Sequence, residues 1–412
     1  MSHRFDSEPG IPARAARQPL VFISAAEPSA DLHAAHLIEA VRRLRPEVRF
    51  VGVAGPKMRA AGCESIYDMT AHASMLLGAL ANIGRGIAML NACDRCLRRH
   101  HFDAAVVVDS PTLHLPLAGK ANALGIPVLY YIAPQMWAWG KHRIYKLRHR
   151  AARVACILPF EEEFFRNEGI DATFVGHPLG EQSCRTEIDQ SIVDRMRAAG
   201  EPFVAILPGS RKHVVQALLP GQLEVAMRIA EAFPKAAFGV SVANPQVAPL
   251  VRTIVKRVRL RAELYPRDRA ELLQAADLVL VASGTAALEV ALHGRPMIVM
   301  YNTSRLFYHL VARWMLRTPH LSLPNILADR EIVPEYMPYF SDAEPIAERA
   351  IELLRSPDER QKMTRDLQET TAALRNGSAS ARTAAMLLSM IEPHRHEGQA
   401  SSVREMIPEG SS

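Results

Sequence analysis

The chain has 412 residues, too many for one ordinary hydrophobic core, so its length predicts about two domains. Its composition, with 49% hydrophobic and 22% charged residues, excludes disorder over most of the length. The five cysteines are thinly spread, which excludes a disulfide framework and favours a reducing, cytoplasmic compartment. A net charge of +6 favours an acidic partner such as phosphate, nucleic acid or an anionic lipid surface.

Strand-like apolar runs alternate with helix-like segments along most of the chain. In the first half the runs lie at 19–25, 49–55, 104–110, 127–133, 153–160 and 173–178. After a polar stretch around 181–191 they resume at 202–210, 236–243, 277–284 and 296–301. Strands separated by helices form right-handed βαβ units with parallel sheets. The two sets therefore predict an α/β protein of two Rossmann-like, doubly wound domains that face a cleft.

The same pattern sets the expected domain boundaries. We expect a flexible N-terminus at 1–18, domains at 19–180 and 181–341, helices at 342–391 that cross back to the first domain, and a flexible tail at 392–412. Ser29 or Asp31 is expected to cap the first helix, and Asp268 to open a short helix before the strand at 277. No segment reaches the roughly 18 uncharged apolar residues of a membrane-spanning helix.

An aspartate closes one of the buried runs, in the stretch "AAVVVDSPTLHLPL" at 104–117. A continuous apolar run closed by a turn is typical of a central parallel strand, so Asp109 is expected at the carboxyl edge of the first sheet, where such sheets bind ligands. A carboxylate there could accept a proton from an attacking hydroxyl group. The alternative is that Asp109 only caps the following helix.

Two small-residue turns follow strands of the second half, in "ILPGSR" at 206–211 and "VASGTAALEVALHGRP" at 281–296. Glycine permits close approach of the backbone, and amides at a helix start can bind phosphate oxygens. No G-x-G-x-x-G or Walker motif is present, so a nucleotide sugar fits better than NAD or ATP. The candidate UDP-sugar residues are Gly209, Ser210, Arg211, Ser283, Gly284, Thr285 and Glu289.

Six motifs, taken together, resemble the lipid A disaccharide synthase family. They are "PQMWAW" (134–139), "ILPFEEEFF" (157–165), "FVGHPL" (174–179), "LPGSR" (207–211), "ASGTAALE" (282–289) and "SLPNILADREIVPE" (322–335). The resemblance extends from about residue 19 to about residue 391 and implies a GT-B-type glycosyltransferase fold. It implies transfer from UDP-2,3-diacylglucosamine to 2,3-diacylglucosamine 1-phosphate (lipid X), giving lipid A disaccharide 1-phosphate and UDP, in lipopolysaccharide biosynthesis.

The resemblance also implies roles for single residues. Asp109 is the candidate catalytic base of an inverting transferase that needs neither a metal ion nor another cofactor. Asn325 and Glu331 are expected near the UDP-sugar. The acceptor or membrane side is assigned Glu27, Ser29, Asp31, Met75, Leu76, Leu80, Trp137, Lys141 and Arg143.

Three motifs in the acceptor half depart from the family. The usual G-E-x-S-G-D is "AAEPSAD" here, without either glycine, P-D-F-N is "PTLH", and S-V-M-G is only loosely matched by "ASMLLG". The donor half is nearly intact. The sequence therefore supports UDP-sugar binding better than it supports the identity of the acceptor.

An apolar stripe at 73–101 ends in Arg95, Arg98 and Arg99, which is typical of a helix resting on an anionic leaflet, although such a stripe is more often part of a core. The segment 301–317 is a second candidate of this kind. We therefore expect peripheral contact with the inner face of the cytoplasmic membrane, and no nucleic-acid partner. The resemblance further allows a homodimer with exchanged C-terminal helices.

Two other functions stay open at this point. A UDP-sugar epimerase can share the architecture, but it needs acid and base groups for elimination at the sugar ring. A catalytically inactive, lipid-binding relative would account for the altered acceptor motifs. The acceptor, the acyl-chain length and the oligomeric state cannot be read from the sequence.

Overall fold

Seven parallel strands form the sheet of the N-terminal half. The computed structural model describes residues 18–68, 79–137, 143–302, 320–339, 342–375 and 378–391. The strands are β1 (Leu20–Ala25), β2 (Arg49–Val53), β3 (Cys63–Tyr67), β4 (Ala104–Val108), β5 (Val128–Tyr131), β6 (Arg153–Cys156) and β7 (Ala172–Phe174). Their order across the sheet is β3-β2-β1-β4-β5-β6-β7.

Six parallel strands form the sheet of the C-terminal half. They are β8 (Phe203–Leu207), β9 (Ala237–Ser241), β10 (Ala262–Tyr265), β11 (Leu278–Ala282), β12 (Met297–Met300) and β13 (Glu335–Tyr336). Their order is β10-β9-β8-β11-β12-β13. The predicted α/β fold with two doubly wound domains is thereby confirmed.

The helices connect the strands and cover the sheets. In the first half they are α1 (Pro28–Leu44), α2 (Pro56–Ala60), α3 (Ala79–Arg99), α4 (Pro111–Ala123), α5 (Ile144–Arg150), α6 (Pro159–Asn167) and α7 (Pro178–Arg185). In the second half they are α8 (Gln190–Ala198), α9 (Lys212–Ala232), α10 (Ala248–Val255), α11 (Arg269–Ala275), α12 (Thr285–Leu292), α13 (Leu323–Ala328), α14 (Glu344–Arg355), α15 (Pro357–Arg375) and α16 (Ala379–Ile391).

Nine of the ten strands that the sequence pattern predicts are inner strands, and the tenth, β7, lies at a sheet edge. Every residue of β4, β8 and β11 is buried, because helices cover both faces of a parallel sheet. The pattern did not predict β3, β10 and β13, which all lie at sheet edges. Their residues are partly exposed, so their sequences lack a continuous apolar run.

One of the two predicted helix starts is wrong. The N-cap residue of α1 is Glu27, and the buried Asp31 instead accepts hydrogen bonds from the backbone amides of Lys57 and Met58, at 3.0 and 3.1 Å. Asp31 therefore caps α2, a helix that is distant in sequence. Asp268 is the N-cap residue of α11, as predicted.

The last helix, α16, packs against α1 of the first domain. Its start is held by the buried Glu181, whose carboxylate accepts hydrogen bonds from the backbone amide and the hydroxyl of Ser380, at 3.0 and 2.7 Å.

Among the described helices, none has the length and apolar character that crossing a bilayer requires.

The register of β1 against β2 places Gly52 beside Ile23, and this pairing has a testable consequence. A Cβ atom at position 52 would lie 1.8 Å from the carbonyl oxygen of Ile23. Because that oxygen is backbone, only separation of the strands relieves the clash. We expect Gly52→Ala to lower the free energy of unfolding by about 3 kcal/mol, measured by chemical denaturation.

Gly84→Ala, in α3, is the matched control, since an added Cβ there meets no described atom within 4 Å. Alanine at this helical position should leave the stability unchanged or raise it by up to about 1 kcal/mol. Equal stability of Gly52→Ala and the native protein would contradict the β1–β2 register.

Candidate functional site

Each sheet has one point at which the strand order reverses. In the first sheet it lies between β1 and β4, and in the second it lies between β8 and β11. Loops after neighbouring strands diverge at such a point and leave a crevice, which is where open α/β sheets bind ligands. The two small-residue turns follow β8 and β11, and Asp109 follows β4.

The first turn, Pro208–Arg211, joins β8 to α9. Gly209 has φ +99°, a conformation that a residue with a side chain rarely adopts. Ser210 and Arg211 are exposed, and Arg211 is the N-cap residue of α9. The carbonyl oxygen of Ser210 accepts a hydrogen bond of 3.0 Å from the side-chain amide of Asn244. The turn is thus fixed from behind, with its small residues at the surface.

The second turn, Ser283–Thr285, joins β11 to α12. Gly284 has φ +114° and is the N-cap residue of α12. It is exposed, as is Thr285. The first amides of a helix have no intrahelical acceptors, so the start of α12 presents hydrogen-bond donors and a partial positive charge beside the first turn.

Both turns line one cavity of about 570 Å³. Seven of the nine residues predicted to bind the UDP-sugar lie on its wall: Gly209, Ser210, Arg211, Ser283, Gly284, Thr285 and Glu289. The first half of the chain contributes Gln135, Trp137 and Leu179 to the same wall. The cavity therefore opens between the two domains.

Arg269 is a cavity residue that the sequence reasoning missed. It begins α11, just after β10, and its Nη2 lies 2.6 Å from Oε2 of Glu289. Burial raises the pKa of Glu289, although the neighbouring Arg269 acts in the opposite direction. The pair places a cation and a hydrogen-bond acceptor on one wall, which suits the phosphate and ribose groups of a nucleotide.

Trp137 is fixed at the cavity wall by a buried carboxylate. Its indole Nε1 donates a hydrogen bond of 3.0 Å to Oε1 of Glu161, and its ring packs edge-on against Phe160. The other oxygen of Glu161 accepts from the backbone amides of Ile157 and Leu158. Because Glu161 is fully buried, its pKa is raised to about 7.

Asp109 lies at the switch point of the first sheet, in a strained backbone. Asp109 and Ser110 have φ of 56° and 45°, and Ile132 after the neighbouring strand β5 has φ 62°. Such values are uncommon for residues other than glycine, and they cluster at functional sites. The N-cap residue of α4 is Ser110, so Asp109 does not cap this helix. Burial raises the pKa of the Asp109 carboxyl group.

Asp109 is not on the wall of the 570 Å³ cavity. It follows β4, and Gln135 and Trp137, which do line the cavity, follow the adjacent strand β5. Asp109 therefore lies at the same sheet edge as the N-terminal wall, one strand away.

The residues assigned to the acceptor side are spread over different surroundings. Glu27 and Ser29 are exposed, and Oε1 of Glu27 lies 3.5 Å from the hydroxyl of Ser110, beside Asp109. Asp31 is only 2% exposed, and both of its carboxylate oxygens accept hydrogen bonds from amides at the start of α2. Arg143 precedes α5, and Leu80 lies on the first turn of α3. Met75, Leu76 and Lys141 lie outside the described residues, as do residues 303–317 of the second apolar segment.

Two residues expected near the UDP-sugar, Asn325 and Glu331, do not line the 570 Å³ cavity. Asn325 is fully buried, its Nδ2 donates to Val333 and Glu335, and its Oδ1 accepts from the amides of Ile332 and Val333. Its polar atoms are all engaged in fixing the loop before β13. Glu331 is exposed and lines a second cavity of about 610 Å³, away from the two turns.

The family model described as Lipid-A-disaccharide synthetase matches residues 21–390. This chain belongs to that family. A Nitrosococcus oceani protein named lipid-A-disaccharide synthase is 35% identical over 385 residues, which cover 93% of this chain and 99% of the relative. The resemblance drawn from the six motifs is confirmed, and the chain is a glycosyltransferase of lipid A biosynthesis.

Two solved structures share the fold at low identity. UDP-GlcNAc 2-epimerase from Neisseria meningitidis, bound to UDP-GlcNAc, has a TM-score of 0.59 and 15% identity, with 90% of this chain and 99% of that chain covered. The glycotransferase of kitacinnamycin has a TM-score of 0.60 and 14% identity, with 91% and 100% covered. The expected GT-B-type architecture is confirmed.

Among the described residues of this family member, no three His, Cys, Asp or Glu side chains are grouped as metal ligands.

Two residues of the site that the sequence did not reveal, Arg269 and Glu161, had weak signals in the sequence. Arg269 follows a strand that the pattern did not predict, so its loop was not assigned to the carboxyl edge. Glu161 is one of three consecutive glutamates, and the sequence does not mark which of them is buried.

Glu161 should make stability depend on pH. Its pKa is about 7 in the folded protein and 4.5 ordinarily, so the folded state binds this proton more tightly than the unfolded chain. The stabilisation is complete below the ordinary pKa and is lost as the pH rises through 7. From about pH 5 to about pH 8, the stability advantage of the native protein over Glu161→Gln should shrink by about 3 kcal/mol.

Chemical denaturation at both pH values measures this difference. Glu163→Gln, at the exposed neighbouring glutamate, is the matched control and should show no such trend. A pH-independent difference between the native protein and Glu161→Gln would mean that the buried carboxyl group is ionised throughout this range.

Proposed function

We propose that this chain transfers a 2,3-diacylglucosamine unit from its UDP-linked form to 2,3-diacylglucosamine 1-phosphate, with lipid A disaccharide 1-phosphate and UDP as products. The observation that carries the proposal is the convergence of both small-residue turns, Arg211 and the Arg269–Glu289 pair on one cavity between the domains. The membership of the family and the UDP-sugar bound to a structural relative support it.

The donor diphosphate lies between the two turns in this proposal. The amides that begin α9 and α12 donate hydrogen bonds to phosphate oxygens, and Arg211 contributes a guanidinium group. As the bond between the anomeric carbon and the diphosphate oxygen breaks, negative charge accumulates on UDP. These fixed donors stabilise that charge without a metal ion. Glu289, oriented by Arg269, accepts hydrogen bonds from ribose hydroxyls.

Asp109 is the proposed base. The acceptor hydroxyl oxygen attacks the anomeric carbon as its proton passes to the Asp109 carboxylate, and UDP leaves from the opposite face. Direct displacement of this kind inverts the anomeric centre. The sugar must extend from the two turns past Trp137 to reach the β4 edge. The raised pKa of Asp109 supports the role, since a more basic carboxylate accepts a proton more readily.

We further propose peripheral contact with anionic lipids at the inner face of the cytoplasmic membrane. On α3, Ile87 is 54% exposed, and Arg95, Arg98 and Arg99 are exposed near its end. Apolar and cationic side chains on one helix suit an anionic leaflet that presents acylated substrates.

We also propose a homodimer with exchanged C-terminal helices. In that dimer, the α16–α1 contact would form between two chains.

Binding of UDP tests the donor site. We expect Arg211→Ala to weaken UDP binding about 10- to 100-fold, because a charge-assisted hydrogen bond to phosphate is lost. Isothermal titration calorimetry measures the dissociation constant. Arg252→Ala removes an exposed arginine that does not line the cavity, and it should bind UDP like the native protein. Equal affinities of all three proteins would place the diphosphate elsewhere.

A transfer assay with defined diacylglucosamine substrates tests the reaction and its base. We expect Asp109→Ala to lower kcat about 100- to 10,000-fold, with UDP binding retained. Asp358→Asn, at an exposed position of α15, is the control with unchanged kcat. Full activity of Asp109→Ala would remove the base assignment.

The donor incubated alone separates the remaining functions. An epimerised sugar without any acceptor would favour the epimerase, whose fold this chain shares. Tight UDP binding without transfer to any acylated glucosamine acceptor would favour the inactive lipid-binding relative.

A further inference from the structure

The carbonyl oxygen of Asp109 is the acceptor of two buried side chains. Nδ1 of His114 lies 2.7 Å from this oxygen, and the hydroxyl of Tyr130 donates to it at 2.8 Å. His114 and Tyr130 are both completely buried. A carbonyl oxygen has two lone pairs, so this pair of donors satisfies it fully.

The protonation state of His114 follows from its partners. Because a carbonyl oxygen can only accept, Nδ1 must carry the proton. Nε2 lies 2.9 Å from the hydroxyl of Ser24, which is fully buried on β1. Burial lowers the pKa of His114 to about 4, so the ring is neutral and Nε2 accepts from Ser24. A chain of donors thus runs from Ser24 through His114 to Asp109.

These contacts act on a backbone that would otherwise relax. Asp109 and Ser110 have positive φ, and residues other than glycine hold this conformation only where surrounding contacts enforce it. A return of this peptide to an ordinary conformation would redirect the Cα–Cβ bond of Asp109. The direction of its carboxylate therefore depends on the hydrogen bonds made by its carbonyl oxygen.

We infer that His114, oriented by Ser24 and assisted by Tyr130, is a positioning residue that aims the Asp109 carboxylate at the reacting sugar. The inference rests on the proposed role of Asp109 as base. His114 contributes a fixed donor and takes no proton during the reaction.

A double-mutant cycle of His114→Leu and Asp109→Ala tests this inference. Leucine removes the donor at similar volume, and we expect kcat to fall about 10- to 100-fold, because small misplacements of a reacting group have effects of this size. The KM for the donor and the affinity for UDP should stay within about twofold. In the Asp109→Ala background, His114→Leu should cause no further loss. Equal losses in both backgrounds would overturn the inference.

His114→Asn is the conservative control, since its side-chain amide can donate to the same carbonyl oxygen, and it should keep most of the native kcat. Tyr130→Phe removes only one hydroxyl group, and it replaces His114→Leu as the test variant if His114→Leu does not fold. It should lower kcat in the native background alone. Unchanged kcat in every folded variant that lacks a donor would also overturn the inference.

Hydrogen exchange decides the inference independently of catalysis. The amides of residues 109–114 other than Pro111 should exchange faster in His114→Leu, or in Tyr130→Phe if that variant is used, while those of β8 and β11 keep the native rate. Native exchange at 109–114 would show that these side chains do not hold the peptide. If Asp109→Ala retains full transfer, the base assignment fails, whereas the exchange result still reports whether the peptide is held.

Discussion

All strand pairs of both sheets are parallel, and this constraint places every functional loop. The chain leaves each strand at the same edge, and the strand order reverses once in each sheet, at β1/β4 and at β8/β11. The loops diverge at those two points, so each sheet offers one crevice. The two small-residue turns lie at the second crevice, and Asp109 lies at the first.

Buried carboxylates fix helix starts and a loop by accepting hydrogen bonds from backbone amides. Burying a carboxylate is costly unless hydrogen-bond donors surround it. Each of these groups therefore accepts at least two hydrogen bonds, from backbone amides or from an amide and a hydroxyl group. The residues concerned are Asp31, Glu161 and Glu181. At Asp109 the roles are reversed, because the buried donors bind the carbonyl oxygen rather than the carboxylate. These donors hold the backbone of Asp109.

The sequence predicts strands that are buried on both faces of the sheet well, and strands at the sheet edges less well. Inner strands such as β4 and β11 are continuous apolar runs, whereas β10 reads AELY and was not recognised. This omission also concealed Arg269, which follows β10. At Asn325 and Asp31 the sequence leaves the hydrogen-bond partners of the side chain open. A motif identifies a polar residue, but only the tertiary structure tells whether its hydrogen bonds go to a ligand or to distant backbone amides.

The altered acceptor motifs bear on whether activity is retained. Ala26 and Ala30 stand where the family has glycine, yet neither is among the described residues with positive φ, and both are buried. Alanine therefore fits this backbone without strain. His114 stands where the family has asparagine, and its Nδ1 makes a donor contact that an asparagine amide could also make. These substitutions preserve the backbone and the hydrogen bond around Asp109, so the departures at these positions are compatible with the proposed role of Asp109 as base.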